Sequence, residues 1–277
     1  LSALGAQTDG CNNIAIGKSA LAASVNDADD NIAIGSTALG GADVSGADNI
    51  AMGRVSLDAL TSGACNIAIG VNTLGAQTDG CGNIAIGRAA LSDSVNDADN
   101  NIAIGTTAMS GSDVAGADNI GIGRVSSNAL TSGACNIAIG LSALGASTDG
   151  CNNIAIGQSA LGASDGDADD NIAIGRVALG GADVSGADNI AVGANAMDAL
   201  TSGACNIAIG AGALTDATDN CDNIAIGAAA LAATANDADN NIAIGKTAMG
   251  AADVSGADNI AMGRVAMDAL TSGACNI

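Results

Sequence analysis

The sequence predicts an all-β chain: a parallel β-solenoid, or β-roll, of 17–18-residue coils. Three observations lead there. A unit Asn-Ile-Ala-Ile-Gly-x-x-Ala-Leu has its leading Asn at sixteen positions in fixed phase, from Asn13, Asn31, Asn49, Asn66 and Asn83 through to Asn276. The steps run 18, 18, 17, 17 and then repeat, so four coils make a 70-residue super-repeat, too short a period for helical hairpins but suited to one solenoid turn. Phe, Tyr, Trp, Pro, His and Glu are absent, and the 48% hydrophobic content is mostly Ala, Ile, Leu and Val, so order has to come from repetition of small units.

Each part of the coil has its own reason. The alternation in Asn13-Ile14-Ala15-Ile16 is that of a strand, with the two Ile on one face and Ala on the other. The apolar Ile face is expected to stack into a thin core, about 4.8 Å per layer, with Ala pointing away from it. Gly17 and its counterparts recur in all fifteen complete units, as a turn needing φ > 0 demands. A second short strand is expected over Ser19-Ala20-Leu21, where the last position is Leu ten times and Met four times, broken only by Ser127. A third apolar position follows at Val25, Val44 and Leu60, and again at Val95, Val114 and Leu130. The leading Asn row is expected to form a ladder of stacked amides. These offsets suit a flattened two-sheet roll better than a triangular helix.

Residues 1–277 read as one continuous solenoid with super-repeats 1–70, 71–140, 141–210 and 211–277. The last is three residues short of phase, so the chain reads as a window on a longer tandem protein or as a subunit continuing head-to-tail into copies of itself.

Composition excludes several functions. Without His, Tyr or Glu most general acid–base chemistry is lost, so no enzyme is expected and no cofactor is required. Seven cations, Lys18, Arg54, Arg88, Arg124, Arg176, Lys246 and Arg264, are scattered singly in a chain of net charge −22, which argues against nucleic acid. Gly, Asn and Asp interrupt every apolar run, so no membrane span is expected, and no signal peptide is visible.

The eight Cys obey the super-repeat. Cys65 lies one residue before its Asn and Cys81 two before the next, near the same corner of consecutive coils. Disulfides are therefore expected at Cys65–Cys81, Cys135–Cys151 and Cys205–Cys221, each worth about 3 kcal/mol if unstrained, in an oxidising compartment. Cys11 and Cys65 would be roughly 14 Å apart, too far to bridge. Cys11 and Cys275 are left for partners outside the window or in a neighbouring subunit. A four-ligand zinc site cannot be completed from two Cys per super-repeat without His.

Aspartates gather before certain anchors: Asp27, Asp29 and Asp30 before Asn31, with Asp48 stacked beside Asp30, and the same set at Asp167, Asp169, Asp170 and Asp188. Clusters of oxygen donors suit Ca²⁺, while the plainer reading is a row of solvated turn residues.

The Asn31-Ile32-Ala33-Ile34-Gly35 and Asn171-Ile172-Ala173-Ile174-Gly175 units resemble the head repeats of trimeric autotransporter adhesins of the YadA type, and equally related repeats of bacterial surface proteins and phage tail fibres. The resemblance covers the whole chain and implies a left-handed parallel β-roll, display outside the cell or on a virion tail fibre, and often a homotrimer. Family coils are usually shorter, near 14 residues, and lack paired cysteines. The expected function is thus the structural shaft of an extracellular filament, surface appendage or adhesin, with copies of itself as partners, lateral contact through the Ala strip, and an unknown surface receptor. An ice-binding face or a calcium-loaded secreted repeat module is the alternative.

Overall fold

The structure is a computed structural model that describes every residue except 1, 7–8, 25–27, 95–98, 112, 165–167, 235–237 and 251–253. It is an all-β parallel solenoid, one three-residue strand per coil, with no helix among the described residues. The chain divides into two compact units, residues 1–135 and 136–277. The first holds β1 (Ile14–Ile16), β2 (Ile32–Ile34), β3 (Ile50–Met52), β4 (Ile67–Ile69), β5 (Ile84–Ile86), β6 (Ile102–Ile104) and β7 (Ile120–Ile122). The second holds β8 (Ile137–Ile139), β9 (Ile154–Ile156), β10 (Ile172–Ile174), β11 (Ile190–Val192), β12 (Ile207–Ile209), β13 (Ile224–Ile226), β14 (Ile242–Ile244) and β15 (Ile260–Met262). Within each unit every strand pairs in parallel with the next, each repeat position on its counterpart. In β2 and β3, for example, Ile32 faces Ile50 and Ala33 faces Ala51.

The inward and outward faces are the reverse of the expectation. Ala33, Ala51, Ala68 and Ala85 are fully buried, whereas Ile69 is 37% exposed and Ile209 40%. The cause is the residue before the strand. Each internal Asn of the ladder points inward and is buried, and strand parity then sends the next residue out, the Ala in and the second Ile out. The core is accordingly lined by the strand Ala, a second Ala such as Ala38 or Ala90, and the Leu or Met row, Leu39, Leu57, Leu91 and Met109 among them. Val44, Leu60, Val114 and Leu130 complete it, while Val25 and Val95 lie outside the described residues. Such a narrow interior has room for Ala opposite Leu and none for two Ile.

The amide ladder forms as expected. The Asn49 side-chain oxygen accepts the Asn66 backbone N–H at 3.0 Å and the Asn66 amide at 3.1 Å, and the Asn49 amide donates to the Gly63 carbonyl at 3.0 Å. One side chain thus joins its own strand to the turn that closes its coil and to the anchor of the next. The glycine after the strand is also required. Gly53 has φ +145, and a Cβ there would lie 2.0 Å from the Gly70 carbonyl oxygen of the next coil.

The second strand does not form. Ser19 and Leu21 have φ +58 and +49, and the alternation recurs at Thr37 and Leu39, so this wall is a turn rather than a strand. Its backbone still bonds from coil to coil, Thr37 N–H to the Lys18 carbonyl and Leu39 N–H to the Ser56 carbonyl. Left-handed φ at Leu is costly in isolation. Here the buried Leu contacts and the coil-to-coil hydrogen bonds hold it in place.

Candidate functional site

The most distinctive surface of each unit is the outward side of its strands. Two parallel columns run along it, Ile32, Ile50, Ile67 and Ile84 beside Ile34, Met52, Ile69 and Ile86 in the first unit, all half-buried or exposed. Each position stacks on its counterpart because the register is in phase, Met52 lying between Ile34 and Ile69.

The two borders of this face carry opposite charge. One column, just before the anchor Asn, contains only Asp, Asn, Gly or Cys: Asp30, Asp48, Cys65, Gly82, Asn100 and Asp118 run down the first unit. All adopt left-handed φ, from +56 at Asp30 to +69 at Gly82, which explains Asn, Asp and Gly but not Cys. The other column, five residues after Asn, holds every cation of the chain, and all are exposed. Lys18, Arg54, Arg88 and Arg124 lie in the first unit and Arg176, Lys246 and Arg264 in the second. Within each unit the cations therefore share one row instead of being scattered; their common offset from Asn was the signal.

All eight cysteines are free thiols in the structure, none of them buried. The column two before Asn has an acceptor role. The Asp29 carboxylate takes the Cys11 N–H at 2.7 Å, and Asp169, Asp99 and Asp239 do the same for Cys151, Cys81 and Cys221. Where Cys replaces Asp in that column its sulfur takes over: Ala64 N–H donates to Cys81 Sγ at 3.4 Å, and Ala204 N–H to Cys221 Sγ at 3.4 Å. Cys205 lies among Asp222, Asp188 and Cys221. Loss of solvent on its packed side, then those two carboxylates and the neighbouring thiol, push its thiol above the ordinary value. Cys135 ends the first unit while Cys151 belongs to the second, and Cys11 and Cys275 lie in different units.

Among the described residues no group of three acids or thiols converges to hold an ion. Asp27 and Asp167 lie outside the described residues. Asp29 and Asp169 are engaged as backbone acceptors, and Asp30, Asp48, Asp170 and Asp188 are exposed turn residues. One acid that sequence reasoning passed over is Asp58, recurring as Asp198 and Asp268. In each, one carboxylate oxygen is buried without a partner. Burial raises the Asp58 carboxyl above its ordinary value, offset in part by the Gly41 N–H.

The described residues enclose no pocket and include no helix long and apolar enough to cross a membrane. No protein-family profile matches the chain, and no curated protein does.

Proposed function

We propose that the chain is the structural shaft of an extracellular filament, surface appendage or adhesin, and that copies associate side by side through their isoleucine faces. The observation that carries this reading is, in each unit, the pair of partly exposed aliphatic columns, one of Ile and one of Ile with occasional Met or Val, between borders of opposite charge. An apolar strip of this regularity is a poor surface to leave in water and a good one to cover. Seven strands in the first unit and eight in the second, at about 4.8 Å each, with seven residues at about 3.3 Å, give faces of about 780 and 890 Å², close to one partner's share of a standard interface.

The borders favour one orientation. Copies related by rotation about an axis parallel to the solenoid bring the Arg and Lys column of one against the Asp column of the next. Antiparallel copies would set like charges together. A parallel homo-oligomer is therefore the expected assembly, and the Ala strip, buried within the coil, takes no part in it.

Sedimentation and negative-stain electron microscopy of the purified chain test the proposal. Elongated oligomers that dissociate when Arg54 and Arg88 are reversed to Asp are expected. Compact monomers at all concentrations would sink it, and thermal hysteresis without assembly would favour an ice-binding face instead.

A further inference from the structure

Two cysteine positions follow rules that the rest of the coil does not explain. Cys65 and Cys205 sit in the left-handed column, at φ +60 and +59, as do Cys135 and Cys275, while the remaining coils place Asp, Asn or Gly there. Nothing in that backbone conformation favours Cys. Cys65 and Cys205 are each followed in the next coil by a second Cys one column away, Cys81 and Cys221, whose sulfur is fixed in place. Cys81 Sγ accepts the N–H of Ala64, the residue before Cys65, and its thiol donates to the Asp79 carbonyl at 3.5 Å. Cys221 repeats this with Ala204 and with Asp219 at 3.5 Å.

Strand register fixes the remaining distance. Ile67 pairs with Ile84 and Gly82 N–H bonds to the Ala64 carbonyl at 3.0 Å, so Cys65 is level with Gly82 and diagonal to Cys81. One sheet spacing combined with one residue step places the two Cα atoms about 6 Å apart, inside the range a disulfide spans. The same register holds for Cys205 and Cys221, where Ile207 pairs with Ile224. In these pairs Cys65, Cys81 and Cys205 are exposed and Cys221 is half-buried.

We infer that Cys65–Cys81 and Cys205–Cys221 are oxidisable staples, each closing one coil onto the next by thiol–disulfide exchange with a low-molecular-weight disulfide. One thiolate attacks the external disulfide and releases one small thiol. The second protein thiolate attacks the resulting mixed disulfide and releases the other. Two protein thiols are oxidised, one external disulfide is reduced, and the two protons leave on the small thiols. The inference stands apart from lateral association, since each staple lies within one chain and within a single unit, Cys65–Cys81 in the first and Cys205–Cys221 in the second.

The test uses the whole chain, oxidised glutathione as the probe, and digestion on the amino side of aspartate without reduction. Cleavage before Asp79 separates Cys65 from Cys81, and cleavage before Asp219 separates Cys205 from Cys221. Expected are two cross-linked peptide pairs, each lighter than its parts by two hydrogens. Cys81→Ser should abolish the first link, leave Cys65 with glutathione, and preserve the second. The melting temperature should rise on oxidation in the native chain and stay unchanged in Cys81→Ser/Cys221→Ser. Recovery of Cys65 and Cys81 as unmodified thiols, as separate glutathione adducts, or linked to other cysteines would overturn the proposal. The sulfur of Cys81 would then serve only as an acceptor for Ala64.

Discussion

Within a single three-residue strand the central residue and its two neighbours obey different rules. Ala51 is fully buried against a Leu wall, while Ile50 and Met52 on either side face outward. Within the strand the larger apolar residues are thus outside and the smallest is inside, while the Leu and Met of the other wall are buried. Room rather than hydrophobicity decides. The coil interior is filled by an inward Asn, two Ala and one Leu, and in-phase stacking denies every layer space its neighbours do not also have.

The sharpest way to break that contrast is to enlarge the inside. Ala51→Leu should destabilise the first unit by about 3 kcal/mol or more, because added methylenes meet a packed column above and below. Chemical denaturation that found Ala51→Leu as stable as the native chain would refute the packing argument. Asn49→Ala comes next. It strips a partner from the Asn66 N–H and the Gly63 carbonyl, both buried, at a cost of about 2–4 kcal/mol in the same measurement.

The outward column should behave differently. Ile67→Thr with Ile69→Thr removes partly exposed area, so the loss of coil stability should stay near 1–2 kcal/mol. Oligomer formation by sedimentation should fall far more. A stability loss equal to that of Ala51→Leu would mean the Ile columns are core after all.

The smallest effect concerns Asp58. Its carboxyl is raised, so folding disfavours the ionised form. That group's contribution is fully present below its unfolded value and is lost as pH rises through the raised one. Asp58→Asn, the residue already found at the matching position Asn128, should therefore raise the melting temperature at neutral pH and flatten its decline between acidic and neutral pH. An unchanged pH profile would show that the carboxylate is well solvated.

Period, strand positions, the glycine turns and the amide ladder were legible in the sequence because each is a single residue type at a fixed offset. Facing was not. Alternation shows that a strand has two sides, but Ile and Ala are both apolar, and only the inward Asn decides between them. The wall at Ser19-Ala20-Leu21 misled for a related reason: Leu gives no sign of left-handed φ, since its propensity argues against it. At the candidate site the Ile columns were visible but assigned inward. The cation column went unread although all seven cations share one offset. The acceptor role of Asp29 depends on the preceding coil's position and is invisible in one dimension.

The amide ladder also bears on how the chain finds its register. Each coil offers its neighbour the same hydrogen bonds, so a strand that skips one coil and pairs with the one beyond would meet nearly the same partners. Native pairings lie only 17 or 18 residues apart, which makes closure fast but leaves wrong pairings close in energy. What separates right from wrong is the minority of irregular features: the alternation of 18- and 17-residue steps, Gly121 beside Met109, and a cysteine column that comes round once in four coils. In a chain of near-copies, the departures from the repeat record the order in which the copies belong.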